Sequence, residues 1–254
     1  MNKSKNKNEY SDLDKIWNEA VKFESYGHDY FYIKEYKNAA KMHLKSHEIF
    51  KKIYELIKDQ ELKKKVKRNY LIEYGNYFQC KAADEFYNNK DYQMAKKYFE
   101  KAAELMKEAI KEGPNNIDAK REIDHINMNI HYLLERAAIS EAFYLINKKP
   151  GEFEHIIEQF NIAATHDNIE IDFATQNGDF ERAIRAKARK FYSEAQALRF
   201  KGMKALQNGE IKDAKRYYLD ASELFKKSSE LDDSWEEYKK LATKMKNVAN
   251  KLIA

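Results

Sequence analysis

A short phrase recurs along this chain and constrains its fold more than any other feature. In its clearest copies, at 176–183 and 207–214, Asn-Gly is followed by an acid, an aromatic residue or Ile, two polar residues and Ala. Gly accepts the left-handed backbone that ends a helix, and an acid suits the positive N-terminus of the next helix. Each copy therefore predicts a tight corner between two antiparallel helices, with the aromatic side chain folded into their seam.

Three weaker copies extend the pattern. The stretches 34–39 and 90–95 keep the acid, the aromatic residue and the Ala, whereas 151–156 has Ile in place of the Ala. Five corners are therefore predicted, at uneven spacing along the chain.

The composition agrees with a chain built of long helices. It has 2 Pro and 7 Gly among 254 residues, and 35% of the residues are charged, which favours helices over an all-β fold. The lone Cys80 rules out an internal disulfide framework and is typical of a reducing cytoplasm. No apolar run is long enough for a membrane span, and no apolar segment follows the basic N-terminus as it would in a signal peptide. We therefore expect a cytoplasmic protein with no membrane partner.

We predict an all-α fold of about nine or ten helices, stacked as hairpins in an α-solenoid. Residues 1–10 read as a flexible basic tail, and 11–112 as N-terminal helical hairpins. Gly113-Pro114 is the strongest stop signal in the chain. Residues 115–254 read as C-terminal hairpins that continue the first half, with two short helices near 152–164 and 168–177 and a capping helix at the end.

The capping helix carries a continuous apolar stripe. Its members recur at helical spacing, and they are Trp235, Tyr238, Leu241, Ala242, Met245, Val248, Ala249 and Leu252. Such a stripe docks on the preceding hairpin or forms a seam with a second copy of the chain. The sequence leaves the homodimer open as the alternative.

Three of the corners carry residues that resemble tetratricopeptide repeats, which are helix–turn–helix units of about 34 residues. In the order of the family pattern, the matching sets are Gly27, Tyr30, Tyr36, Ala39, His43 and Ser46; Ala83, Phe86, Tyr92, Ala95, Phe99 and Ala102; and Gly202, Ala205, Ile211, Ala214, Tyr218 and Ala221. The resemblance covers about 100 residues. The uneven corner spacing and the missing closing Pro depart from the family's regular array.

The resemblance implies a groove, lined by the first helix of each hairpin, that holds a partner peptide or helix. The family's clamp for a C-terminal carboxylate needs a Lys and an Asn four residues later. The corresponding pairs here are Glu24 with His28, Cys80 with Asp84, and Arg199 with Met203, and none of them fits that clamp. A different partner surface is therefore expected, with groove residues His28, Phe31, Asp84, Tyr87, Arg199 and Met203.

Three pairs of residues have the spacing of metal ligands. Glu122 with His125 and Glu152 with His155 have the Glu-x-x-His spacing of di-iron helical bundles, although Glu152 is also the acid of a corner. His43 and His47 lie one helical turn apart, a spacing that can bind zinc, but nothing completes the set. We predict no catalytic, cofactor-binding or metal-ligating residue, and a di-metal carboxylate enzyme is a remote alternative.

Charge is distributed unevenly. Residues 1–70 carry 17 basic and 11 acidic side chains, 71–180 carry 12 and 20, and 181–254 carry 18 and 11. Two basic clusters result: one of Lys63, Lys64, Lys65, Lys67 and Arg68, and one of Arg182, Arg185 and Arg189. The second recurs at helical spacing and reads either as a stripe that tracks phosphates or as a solvated face near acidic neighbours.

The sequence thus predicts a scaffold or adaptor that binds another protein, not an enzyme. The alternative is an RNA- or ribosome-binding factor that uses the basic ends of the chain.

Overall fold

The protein is all-α throughout the described residues of this computed structural model. The structure describes residues 3–112, 117–232 and 236–252, and it describes their side chains except in 3–12 and 117–119. The Gly113-Pro114 stop and Trp235 of the capping stripe lie outside the described residues. The helices are α1 (Lys3–Tyr32), α2 (Tyr36–Leu56), α3 (Gln60–Ala83), α4 (Tyr92–Lys111), α5 (Ile117–Lys148), α6 (Phe153–Gln176), α7 (Phe180–Gln207), α8 (Ile211–Leu231) and α9 (Glu236–Lys251).

The chain divides into two compact units. Unit 1 is Met1–Ile126 and unit 2 is Asn127–Ala254, so the boundary falls inside α5. In unit 1, α1 packs on α2, α2 on α3, and α3 on α4; in unit 2, α6 packs on α7, α7 on α8, and α8 on α9. This consecutive packing of helical hairpins is that of an α-solenoid and confirms the predicted fold class. Helix α1 begins at Lys3, within the stretch predicted as a tail.

The five predicted corners share one backbone geometry. The acid that precedes each new helix has φ between −87° and −82° and ψ between 58° and 82°; these acids are Glu35, Asp91, Glu152, Asp179 and Glu210. At every corner the carbonyl of this acid accepts the first helical hydrogen bond, four residues on. The acids differ as caps. The side chains of Asp91 and Asp179 accept a hydrogen bond from the backbone N–H three residues ahead in the new helix, whereas the longer Glu side chains do not.

Left-handed backbone ends the helix before four of the corners. Gly178 and Gly209 have φ of 73° and 78°, and Lys34 and Lys90 take the same position with φ of 65° and 58°. A side chain in this conformation costs about 1 kcal/mol, so the two lysine corners are strained where the two glycine corners are not. The corner at Gly151 closes differently, with the Glu152 N–H donating to the carbonyl of Lys149.

A π-helical segment, Asp84–Asn89, extends α3 into its corner. The Asp91 N–H reaches back six residues to the carbonyl of Glu85, whereas the equivalent bonds at Glu35, Asp179 and Glu210 reach back five. The extra residue widens the last turn, and such turns are frequent at functional sites. We call Asp84–Asn89 the π-turn.

The aromatic or Ile residue is not buried equally at the five corners. Tyr36 folds into the seam and is 7% exposed, as predicted, whereas Phe180 is 66% exposed. The residues of the other three corners are half-buried; they are Tyr92, Phe153 and Ile211. The prediction for Phe180 is wrong because α7 turns its arginines, not Phe180, towards α6.

In unit 2, the structure corrects the prediction for one helix and decides between two alternatives for another. Residues 153–176 form one helix, α6, not the two short helices predicted. The polar stretch around Asp167 reads as a break, but Asp167 is fully buried and accepts a hydrogen bond from Arg189. The stripe of α9 docks inside the unit, where Met245 and Ala249 are buried against Tyr218 and Phe225. These members of the stripe are therefore covered by the chain itself.

Candidate functional site

Unit 1 has a histidine and a glutamate paired in its core. His43 of α2 and Glu73 of α3 are each 1% exposed, and His43 Nδ1 lies 2.9 Å from Glu73 Oε2. Asn76 donates to Glu73 Oε1 at 3.0 Å. Both oxygens of the Glu73 carboxyl are therefore bonded within the core. We call His43 and Glu73 the core pair.

The core pair occupies a position that the other hairpins give to an aromatic ring. Phe99 and Tyr218, which correspond to His43 in the repeated pattern, are buried at 2% and 4%. A Cβ on Gly27 would lie 2.5 Å from His43 Nε2, and a Cβ on Gly202 would lie 3.1 Å from the Tyr218 ring. In both hairpins, the glycine of the first helix therefore lets a ring of the second helix approach closely.

Two titratable side chains of α1 lie between the core pair and the solvent. The side chains of Glu24 and His28 are 38% and 61% exposed, with 4.0 Å between Glu24 Oε1 and His28 Nε2. The His28 ring meets the His43 ring edge-on, with centroids 5.0 Å apart. Partial burial, followed by repulsion from Glu73, raises the pKa of Glu24 to about 7. Partial burial and then His43 lower the pKa of His28.

The other predicted groove residues of unit 1 meet at the first corner. The Tyr36 ring contacts Phe31 at 5.4 Å and stacks on Tyr87 at 5.7 Å between centroids. Asp84 and Tyr87 both lie in the π-turn. Asp84 accepts a hydrogen bond from Asn88 at 2.8 Å and lies 3.9 Å from the Lys37 Nζ. We call Glu24, His28, Phe31, Asp84 and Tyr87 the groove face.

The predicted groove residues of unit 2 have other partners. Arg199 lies over the ring of its neighbour Phe200 and donates to Gln196 at 3.2 Å. Met203 packs against the core of unit 2. The structure therefore gives Met203 a packing role.

The first basic cluster is split between surface and interior. Lys64 and Lys65 are exposed, whereas Lys67 pairs with Glu112 at 2.5 Å and Arg68 is only 2% exposed. Arg68 pairs with Glu122 of α5 at 2.8 Å. Lys63 lies over the Tyr54 ring, 4.7 Å from its centroid.

The second basic cluster is not a solvent-facing stripe. Arg182 donates to Glu170 at 2.7 Å, and Arg189 donates to Asp167 at 3.0 Å and to Glu170 at 2.6 Å. Asp167 and Glu170 are buried on α6. Only Arg185 points outward, to Glu181. We call Arg182, Arg189, Asp167 and Glu170 the arginine network. Its two guanidinium groups donate hydrogen bonds to acids of the same unit.

Glu135 of α5 adjoins the arginine network. It is 1% exposed, and its ion pairs with Arg136 and Arg189 are long, at 3.9 and 4.0 Å. Burial raises its pKa, and burial followed by repulsion from Glu135 raises the pKa of Asp167. The arginine network and Glu135 therefore form one polar cluster, in which the arginines compensate Glu135 and Asp167 only in part.

The candidate metal ligands do not converge. Glu122 pairs with Arg68, whereas Glu152 and His155 form an exposed pair with each other at 3.0 Å. His47 lies 2.8 Å from the carbonyl of Tyr70 and stacks on Tyr74. Among the side chains that the structure describes, no three acids, histidines or cysteines come close enough to hold one metal ion. Cys80 is buried, and its burial raises the thiol pKa.

Aromatic rings and lysines alternate on another side of α3. Tyr74 stacks on His47 and Tyr77, and Tyr54 meets Tyr70 edge-on. Lys81 lies over the Tyr98 ring, 4.4 Å from its centroid. These partly exposed rings and cations form a second surface in unit 1.

The chain was compared with known proteins to place these features. Searches against protein-family models, curated proteins and solved structures find no match for this chain. In the described part of the chain, every helix is too short or too polar to cross a membrane. The packing and the side chains themselves therefore carry the functional argument.

The sequence pattern missed Glu73, Asp167, Glu170 and Glu135 as members of these polar clusters. A signal for them exists, because Asp167 and Glu170 share a helical phase with the buried Ala163 and Ala174. An acid at a core position of an amphipathic helix predicts a buried partner, but the pattern does not say which one.

Proposed function

We propose that this chain is a non-enzymatic interaction scaffold of the tetratricopeptide-like kind, which binds a segment of a partner protein along the groove face of unit 1. The face combines polar groups, Glu24 and His28, with aromatic surface from Phe31 and Tyr87. Such a combination suits an extended peptide or a helix, because polar groups give orientation and aromatic rings give contact area.

The core pair is the observation that carries the proposal. A buried ionisable pair is weak evidence for stability, because a packed hydrophobic replacement is often as stable or more stable. The other hairpins have Phe99 and Tyr218 at the same position. Next to this substitution, on α1, lie the half-buried Glu24 and the exposed His28. A polar core beneath an open polar face suits a binding site. Packing of the helices alone does not require such a polar core.

The π-turn gives further support. It holds the half-buried Tyr87 in a turn that has one extra residue, with Asp84 buried at its start. Widened turns of this kind recur at functional sites.

A selection with displayed peptides tests this proposal. The full chain is used to select random 12-residue peptides, and the affinities of the selected peptides are measured by fluorescence polarisation. We expect His28→Ala to weaken binding by about tenfold, the size of a typical hot-spot loss. The matched control is Leu219→Ala, an exposed apolar position on α8, and it should leave the affinity unchanged. Failure to select any peptide, or equal binding by the His28→Ala variant, would contradict the proposal.

RNA binding is a second candidate, favoured by the alternation of rings and lysines on α3. Base stacking on Tyr74 or Tyr77 and phosphate contacts to Lys64, Lys65 and Lys81 are the expected interactions. The affinity for a fluorescent oligouridine should then fall steeply as salt rises. Absence of binding at low salt would remove this candidate.

A further inference from the structure

We infer that the partner segment carries a lysine or arginine side chain whose cation pairs with Glu24 of the groove face. This inference rests on the proposed function, and it specifies the chemistry of the partner. It comes from the charges that surround Glu24.

Acids and histidines surround Glu24, and no Lys or Arg of the described residues acts on its pKa. The exposed Lys45 lies instead over the ring of the neighbouring Phe23, 5.1 Å from its centroid. Within the described part of the chain, the titratable groups that act on Glu24 are His28 of α1, His43 of α2 and Glu73 of α3. Asp29 adds a further negative charge that acts on His28. The site thus differs from the arginine network of unit 2, where each acid has a guanidinium within reach.

The core pair does not neutralise Glu24, because His43 lowers the pKa of Glu24 by less than Glu73 raises it. His43 Nδ1 is committed to Glu73 at 2.9 Å, and the other Glu73 oxygen is bonded to Asn76. His28 lies 4.0 Å from Glu24 and carries a lowered pKa, so it is mostly neutral near pH 7. Glu24 is therefore a partly buried acid that no Lys or Arg of the described residues pairs with, and a cation of the partner can take that place.

The neighbouring apolar surface fits a long cationic side chain. Phe31 lies two turns along α1 from Glu24, and its ring contacts Tyr36. The stems of Lys and Arg lie along apolar surface while the charged head reaches an acid. An acidic partner segment is disfavoured, because Glu24, Asp29 and Glu73 would repel it.

Binding of a cation at Glu24 predicts release of a proton. With a pKa of about 7, Glu24 is roughly half protonated at pH 7 in the free protein. A cation beside it lowers this pKa, so binding releases up to about half a proton. Titration calorimetry at pH 7 in phosphate and in Tris detects this release, because the two buffers differ in their heats of protonation.

The experiment uses peptides selected on the full chain from the random 12-residue library. Each peptide is then resynthesised with its basic residue replaced by glutamine. We expect this replacement in the peptide and the variant Glu24→Gln in the protein each to weaken binding by about tenfold or more. Their effects on the binding free energy should not add when the two changes are combined, because both remove the same ion pair. Proton release should vanish in Glu24→Gln. The matched control is Glu55→Gln, an exposed acid on α2, which should change neither quantity.

The outcomes separate this inference from the proposed function. Peptides that lose affinity on His28→Ala but carry no basic residue, or bind Glu24→Gln as well as the wild type, overturn the inference and leave the scaffold function standing. Binding of a basic peptide without proton release at pH 7 also overturns the pairing with Glu24. Failure to select any peptide overturns the proposed function and the inference together.

Discussion

The two units place charge in their cores in opposite ways. Unit 1 buries the core pair, which lies next to titratable groups of α1. Unit 2 buries Asp167 and Glu170 of the arginine network, which accept hydrogen bonds from guanidinium groups of the same unit. Burial of charge alone therefore does not mark a binding site. What distinguishes unit 1 is that its polar core continues to an open face with an unbalanced charge.

The comparison first predicts a large stability loss when the arginine network is broken. Glu170→Gln removes the buried acid that accepts from both Arg182 and Arg189, and we expect it to lower the free energy of unfolding by about 3 kcal/mol, because Arg182 and Arg189 both lose a buried carboxylate while Arg189 keeps Asp167. The measurement is guanidinium unfolding of the full chain. Glu181→Gln, in the exposed pair with Arg185, is the control and should cost about 0.5 kcal/mol or less. Equal losses of unfolding free energy in the two variants would mean that the arginine network contributes no more to stability than an exposed ion pair.

The second prediction concerns the core pair. His43→Phe alone leaves Glu73 buried without its partner and should cost about 3 kcal/mol. The double variant His43→Phe with Glu73→Leu should return to within about 1 kcal/mol of the wild type, because an apolar pair replaces an ionisable one. Its affinity for selected peptides should nevertheless fall. A double variant as unstable as His43→Phe would show that the pair serves the fold, not the groove face.

The third prediction tests the close approach under the core pair. Gly27→Ala places a Cβ against the His43 ring, where it would lie 2.5 Å from Nε2, and should destabilise the protein by about 1–3 kcal/mol. Gly151→Ala is the control, because a Cβ there meets no atom within 4 Å. The measurement is thermal unfolding of both variants. A decrease in Tm of similar size in the two variants would contradict the packing described for His43.

The smallest predicted effect is a pH dependence from Glu24. Its folded-state pKa, about 7, lies above that of an exposed glutamate, so the folded protein binds this proton more tightly than the unfolded chain does. The resulting stability is fully present at low pH and is lost as pH rises through about 7. Unfolding free energies of the wild type and Glu24→Gln should run parallel below pH 4 and diverge between pH 5 and 7.5, with the wild type falling relative to the variant. Parallel curves throughout would mean that Glu24 is ordinarily solvated.

The sequence predicts the helical hairpins of this fold because the signals for their corners are local in sequence. The five corners depend on residues within one short phrase, and all five are present with nearly the same backbone angles. The left-handed lysines, Lys34 and Lys90, occupy positions where the pattern alone favours glycine. The π-turn has no sequence signal of its own, because it differs from a regular helix end by one residue of register.

The site is harder to predict because its partners are distant in sequence. Arg182 and Arg189 form a basic stripe when α7 is read alone, and only the packing of α6 against α7 shows that Asp167 and Glu170 neutralise them. The pairing of His43 with Glu73 likewise spans 30 residues. Periodicity places each side chain on a face of its helix, but it does not give the neighbour that the face meets.

The most direct test of the central claim is to locate the bound peptide on the molecule. In NMR spectra of the ¹⁵N-labelled full chain, addition of a selected basic peptide should shift the backbone amides of α1 around Glu24, His28 and Phe31, together with those of the π-turn. The amides around the arginine network in α6 and α7 should stay in place. Shifts concentrated in α6 and α7, or on the lysine-bearing side of α3, would contradict the account.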